Sequence, residues 1–205
     1  MKDKVIKKRI GTKIKILKAA TTLFSELGYK GTSIRNIARE VNIRESAIYN
    51  HYKNKEELFL DVTKNILPSP LTQENKIKDL AIEGKSYLIA YTQHYKELTI
   101  DKNNENMFRL LMIELFQNKN LREQFMHDFH DESIKKISEG FFIMMQNNLI
   151  PFGDPMLLSF EFLSTLFYIR LQTTILNFDN KSIDYQLSLF DKHVDYFWDS
   201  IKKDN

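Results

Sequence analysis

Between Val41 and Leu58 the chain reads VNIRESAIYNHYKNKEEL, and its polar residues have the types and spacing that suit recognition of a nucleic acid. Glu45, Ser46, Tyr49 and Asn50 fall at i, i+1, i+4 and i+5, which places them on one face of a helix. An Asn amide can pair bidentately with adenine and a Glu can accept from the amino group of cytosine. Arg35, a little earlier, can reach guanine. Tyr49, Lys53 and Lys55 suit phosphate oxygens, as do the hydroxyls and amides of Thr32 and Ser33 at a helix start. Arg44 and His51 flank this face and complete the candidate set.

Such a face works only on a helix held at a fixed angle. Ile34, Ile37, Ala38 and Val41 have helical spacing behind Ser33 or Thr32, either of which can cap. Asn42 can adopt the left-handed conformation that a tight turn requires. Ile37, Ala38, Val41, Ile43 and Ile48 then supply the buried faces of two short helices, a candidate helix-turn-helix, whose second helix enters the major groove. Upstream, Ile10, Ile14, Leu17, Ala20, Phe24 and Leu27 predict one apolar stripe on a first helix that Gly28 ends. Downstream, Asn54 with Glu57 forms a capping-box pattern, and Leu58, Val62 and Ile66 predict a further helix that Pro68 stops.

From about Lys13 to Asn65, a quarter of the chain, the sequence resembles the N-terminal domain of the tetracycline-repressor (TetR) family. The pattern is matched at Ala19, Ala20, Phe24, Gly28, Tyr29, Thr32, Ser33, Ile37, Ala38, Tyr49, His51, Tyr52, Lys55 and Leu58. The resemblance implies that Ser33, Tyr49 and Lys55 hold phosphates and that Arg35, Glu45, Ser46 and Asn50 lie where bases are touched. Three positions depart from it. Asn42 replaces the usual turn glycine, Arg44 replaces a small capping residue, and Glu45 stands where a basic residue is frequent.

Charge agrees with this assignment. Residues 1–60 hold 14 Lys and Arg against 6 Asp and Glu, whereas the remainder holds 16 against 21. Positive charge concentrated in one segment suits a polyanion, since each neutralised phosphate releases counterions. The chain has no cysteine, which excludes disulfides, thiolate nucleophiles and thiolate metal sites. It also has no phosphate-binding glycine loop and no recognisable Ser/His/Asp context, so an enzyme is not expected. With no signal-peptide pattern and no membrane-length apolar run, a cytoplasmic protein without membrane contact is expected.

Beyond Pro70 longer helical patterns follow, giving an all-α expectation, and the resemblance implies a three-helix DNA-binding domain over 1–67 and a helical bundle over 71–205 for ligand binding and dimerisation. Ile77, Leu80, Gly84, Leu88, Tyr91, Tyr95 and Leu98 predict one long helix, and Leu121–Leu149 another. Segment 156–176 is apolar most of the way round, so it must be buried on two sides. With the heptad-like last helix it predicts a bundle shared between two subunits, through Phe160, Ser164, Phe167, Leu171, Phe190, Val194 and Phe197. Tyr87, Tyr91, Phe108, Met112, Phe116, Phe129, Phe141 and Met145 are expected to line an apolar or aromatic ligand cavity. His127, His130 and Asp131 share a helical face at i, i+3 and i+4, but their charged surroundings suit a solvated face, and neither a metal nor a cofactor is expected.

The resemblance thus implies a dimeric regulator of transcription. It would repress from a palindromic double-stranded operator and leave it when a small effector of unidentified structure favours another spacing of the two DNA-binding domains. The alternative is an effector-independent DNA-binding protein whose bundle serves dimerisation or protein contact.

Overall fold

The computed structural model describes residues 2–64 and 79–203, with side chains from Gly11 onward and excluding 128–130. Ile66, Pro68, Pro70 and Ile77 lie outside these, as do the side chains of Ile10, Phe129 and His130. Every regular element among the described residues is helical. They are α1 (Lys2–Gly31), α2 (Ile34–Val41), α3 (Glu45–Tyr49), α4 (Lys55–Thr63), α5 (Lys85–Ile100), α6 (Lys102–Leu115) and α7 (Lys119–Phe125). After a π-helical segment (Met126–Ser133) come α8 (Ile134–Gln146), α9 (Pro155–Phe178) and α10 (Asp184–Ile201). Among the described residues no helix is long and apolar enough to cross a membrane.

The chain forms two compact units, Met1–Leu67 with Lys102–Gln124, and Pro68–Asp101 with Phe125–Asn205. The first is therefore larger than the 1–67 span expected from sequence, because α6 packs along α1. Met107, Phe108, Leu110 and Leu111 of α6 are buried. Helix α1 breaks at Gly28, whose φ of 72° lies where a side chain would be strained. Its buried residues include Ile16, Ala20 and Phe24, with Ala19 and Ser25 beside them, while Ile14 and Leu27 are exposed. The apolar face is thus rotated from the expected stripe onto the i, i+4 row that meets α2 and α4.

The second unit packs α9 against α5, α8 and α10, and α10 also against α5. Its core is aromatic. Phe162 lies 5.1 Å from the Phe197 ring, 5.1 Å from His193, 6.2 Å from Tyr91 and 6.4 Å from Phe141. Two glycines let helices approach. A Cβ on Gly140 would sit 2.4 Å from the Tyr87 ring, and one on Gly84 would sit 2.5 Å from Trp198. Gly84 also has φ of 61°, so the single long helix expected through Ile77–Leu98 is interrupted here and α5 begins at Lys85.

Glycine is scarce, and asparagine ends three helices in its place. Asn42, Asn148 and Asn180 are the described non-glycine residues with positive φ. In each case the next amide reaches back five residues: Ile43 to the Ala38 carbonyl at 2.9 Å, Leu149 to Met144 at 3.0 Å, and Lys181 to Leu176 at 2.9 Å. This is the Schellman arrangement, which satisfies carbonyls that a helix end leaves open.

Several bundle expectations need correction. Phe190, Val194 and Phe197 face the core of their own subunit and are buried there, so they are not an intersubunit surface. Phe167 is half-buried, its ring 6.2 Å from Phe125. Phe160 is exposed and Ser164 and Leu171 are half-buried. They lie on a row of α9, Leu157, Phe160, Ser164, Tyr168, Leu171, Ile175 and Phe178, whose larger members are mostly exposed. The expected cavity residues are divided between the two units. Tyr87, Tyr91, Phe141 and Met145 pack into the second unit's core, and Phe108, Met112 and Phe116 belong to the first. Phe116 is 84% exposed, which no enclosed cavity allows. Residues 127–131 are wound as a π-helix, so the α-helical spacing that would bring His127, His130 and Asp131 together does not apply. Among the described residues no trio of His, Cys, Asp or Glu is placed to hold a metal.

Candidate nucleic-acid interface

The polar face begins with a well-capped α2. Ser33 is extended, and its Oγ accepts from the Asn36 amide at 3.1 Å; its hydroxyl also contacts the Asn36 side-chain oxygen. Ile34, Ile37 and Ala38 bury one side of α2, leaving Arg35 and Arg39 exposed on the other. The Asn42 turn then fixes the path into α3, with the Asn42 amide donating to the Arg39 carbonyl at 3.1 Å. The loss of the usual turn glycine is thus accommodated, because Asn tolerates the left-handed region better than most residues.

Helix α3 is short and pinned at one residue. Ile48 is wholly buried, and its carbonyl accepts from the amides of His51 at 2.8 Å and Tyr52 at 3.0 Å. Arg44 precedes α3 in an extended conformation and makes no side-chain cap, so its guanidinium stays exposed. Glu45, Ser46, Tyr49 and Asn50 are all exposed, Tyr49 to 52%, as their spacing predicts. His51 is half-buried.

The start of α4 is a complete capping box. Asn54 accepts from the Glu57 amide at 2.8 Å, and the Glu57 carboxylate accepts from the Lys53 amide at 2.6 Å. The Lys53 amide is therefore occupied, while its side chain is exposed.

Two residues expected at phosphates are turned inward instead. The Thr32 hydroxyl is buried and directed at the carbonyls of Gly28, at 2.9 Å, and Leu23, at 3.0 Å. The Lys55 ammonium donates to the carbonyls of Tyr29 at 2.9 Å and Thr32 at 3.0 Å, and lies 4.2 Å from the Tyr29 ring. Burial lowers its pKa, with the nearby Glu114 carboxylate opposing that shift. Lys55 thus serves as a cationic cap on the carbonyls that end α1 and ties them to the start of α4.

Other contacts that brace the face carry no sequence motif. The buried Tyr52 hydroxyl donates to Asp61 at 2.9 Å, and Asp61 pairs with Lys13 at 3.0 Å and Lys64 at 3.6 Å. Burial would raise the Asp61 pKa, but the Lys13 ammonium and the Tyr52 hydroxyl outweigh it and hold it below its usual value. Glu56 on α4 accepts from the side-chain amides of Asn118, at 3.1 Å, and Asn120, at 3.0 Å. Gln124 donates to the Leu60 carbonyl at 2.9 Å and approaches the Thr63 hydroxyl at 3.0 Å. These partners lie some 60 residues apart, so only the return of α6 and α7 to the first unit could reveal them.

Comparison with known proteins agrees with this geometry. Residues 16–62 match the model of bacterial regulatory proteins, tetR family. A 53-residue stretch is 47% identical to the biofilm operon icaADBC HTH-type negative transcriptional regulator IcaR of Staphylococcus epidermidis, covering 26% of this chain and 29% of that one. The chain therefore matches less than a third of that relative's length. The fold is similar to a putative TetR-family transcriptional regulator from Mesorhizobium loti, at TM-score 0.71 and 19% identity over 95% of this chain and 98% of that one. It is equally similar, at TM-score 0.71 and 14% identity over 95% and 93%, to SmeT in complex with triclosan. SmeT is the repressor of the Stenotrophomonas maltophilia multidrug efflux pump SmeDEF.

Proposed function

We propose that the chain, whose residues 16–62 match the model of bacterial regulatory proteins, tetR family, is a dimeric transcriptional repressor. It binds a palindromic operator through α2 and α3 and leaves it when a small molecule binds in the second unit. The observation that carries the reading is the pair of short helices joined at Asn42, which buries Ile48 and turns Glu45, Ser46, Tyr49 and Asn50 to solvent. A helix so presented fits the major groove, where each base pair shows its own donor and acceptor pattern.

In this reading Asn50, Glu45 and Arg35 read bases. Arg44, Ser46, Tyr49, His51 and Lys53, with the Ser33 hydroxyl and the first amides of α2, hold the backbone. Lys55 and Thr32 act indirectly, by fixing α2 and α4 against α1. The exposed apolar row of α9 supports dimerisation, since a row of that length is seldom left in water. Tyr168→Glu and Ile175→Glu on that row are expected to give folded monomers that bind a half-site weakly.

The reading is tested by recovering bound fragments from genomic DNA and measuring anisotropy with the recovered duplex. An inverted repeat bound by wild type, with changed base preference in Asn50→Ala, is expected. Dimers that persist after both glutamate substitutions would remove the proposed interface.

A further inference from the structure

The positive charge of the first sixty residues does not lie in the helix-turn-helix. Residues 1–18 hold eight Lys and Arg against one Asp, whereas residues 19–60, which contain α2 and α3, hold six against five. One of those six, Lys55, already donates to the carbonyls of Tyr29 and Thr32. The segment that presents Glu45 and Asn50 is therefore close to neutral, while a DNA duplex carries a negative charge about every 1.7 Å along its axis. The basic residues are instead in α1, which is helical from Lys2 through Lys18.

Helical spacing sorts these bases into two faces. Lys4, Lys7, Lys8, Lys15 and Lys18 stand at i, i+3, i+4, i+11 and i+14 and share one row along α1, whereas Lys2, Arg9 and Lys13 stand on the opposite side. Where side chains are described, the two faces behave differently. Lys13 is held in the fold, paired with Asp61 at 3.0 Å and 5.4 Å from the Tyr52 ring. Lys15 and Lys18 are exposed, and among the described residues neither ammonium has a partner. They line a groove of about 390 Å³ with Ala19 and Thr22 of α1 and Glu40 and Val41 of α2, and the Glu40 carboxylate pairs with neither of them. Val41 is the last residue of α2 before the Asn42 turn, so the row starts beside the turn that leads into α3. From Lys18 to Lys4 it extends about 21 Å at about 1.5 Å per residue, a length over which one DNA strand carries about six phosphates.

We propose that Lys4, Lys7, Lys8, Lys15 and Lys18 form a second nucleic-acid surface, a lysine row that takes phosphates of the operator duplex without reading its bases. Lysine suits this use, because a point charge on a flexible stem follows phosphates without the fixed fork of planar recognition. Helix α3 then supplies sequence preference, and α1 supplies affinity and most of its salt dependence. The proposal rests on the reading that α2 and α3 bind DNA, and adds to it a contact that does not depend on sequence.

The test is anisotropy of the full chain with the recovered operator and a scrambled duplex, each across a salt series. Three charge-matched pairs of changes are compared: Lys15→Gln with Lys18→Gln, Lys4→Gln with Lys8→Gln, and, on the opposite side, Lys2→Gln with Arg9→Gln. Glutamine has a helix propensity close to that of Lys and Arg, so all three should melt as wild type does. Each row pair should weaken both duplexes by the same factor, at least about tenfold at low salt, and lower the slope of log K against log salt by about 1.8, or about 0.9 per lost contact. The opposite pair should lower the slope less than half as much. Equal losses from all three pairs would reduce the effect to net charge and overturn the row. A row pair that weakens the operator but not the scrambled duplex would place those lysines at bases and overturn the phosphate assignment. Wild-type slopes in both row pairs, with wild type still selecting the operator, would overturn the proposal alone. A wild type that binds neither duplex would overturn the DNA-binding reading and the proposal with it.

Discussion

In the unit that carries α2 and α3, turns are fixed by side chains bonded to backbone: Thr32 to Leu23 and Gly28, Lys55 to Tyr29 and Thr32, Asn54 and Glu57 to each other's amide neighbourhood. In the second unit position is set by aromatic faces, with Phe162 among Tyr91, Phe141, His193 and Phe197, and by two glycines that admit Tyr87 and Trp198. The difference follows from what each has to present. A recognition helix of five residues is too short to be held by its own packing, and its outer face must stay polar, so directional bonds hold its neighbours. A bundle of long helices buries enough surface to be held by shape.

The largest effect expected from this comparison is on the aromatic side. Phe162→Ala removes the ring shared by four others and should cost about 3–5 kcal/mol, read as a fall in the unfolding midpoint followed by Trp198 fluorescence. Gly140→Ala places a methyl where the Tyr87 ring now sits and should cost about 1–3 kcal/mol. A wild-type midpoint in either variant would mean that the core is not set by shape.

The first unit is probed by a pair of lysines. Lys55→Met removes two bonds to carbonyls and should lower stability by about 1–3 kcal/mol. It should weaken DNA binding with an unchanged salt slope, because its ammonium neutralises no phosphate. Lys53→Ala should leave stability unchanged and reduce the slope of log K against log salt by about 0.9. The reverse assignment of slopes would restore Lys55 as a phosphate contact.

The smallest effect is in pH. His193 is stacked on Phe162, and its Nε2 lies 3.1 Å from the Phe162 carbonyl. Burial lowers its pKa from 6.5, against the pull of that carbonyl. The unfolded chain then binds the proton more readily, so stability is full above 6.5 and is lost as pH falls through the folded value. Asp61, lowered from 3.8, gives stability present above 3.8 and lost only as pH falls below it. Acid titration should thus weaken the second unit first. His193→Gln should flatten the pH dependence of the Trp198 midpoint below pH 6.5.

Much of the first unit was legible in the sequence because local chemistry decides it. The Asn42 turn, the Asn54 and Glu57 box, and the exposure of Glu45, Ser46, Tyr49 and Asn50 depend on neighbours within six residues. The carbonyl acceptors of Lys55 were not legible, because they lie 23 and 26 residues away. Asn118, Asn120 and Gln124 were missed because their partners are more than 60 residues distant. In the second unit the helices were legible, but which face meets which was not. Heptad-like spacing identified Phe190, Val194 and Phe197 as a seam, and whether that seam meets α9 of the same chain or another subunit is a property of tertiary packing. Gly84 reads as a tolerated member of a helical stripe until Trp198 is seen against it.

The central claim is that α2 and α3 read DNA by sequence, and anisotropy with a duplex recovered from genomic selection tests it most directly, at several salt concentrations beside a scrambled duplex of equal length. The account predicts recovered-duplex binding at least about a thousandfold tighter than scrambled, with Asn50→Ala collapsing most of the difference. Equal affinity for the two duplexes, or a difference that survives Asn50→Ala and Glu45→Ala together, would contradict it.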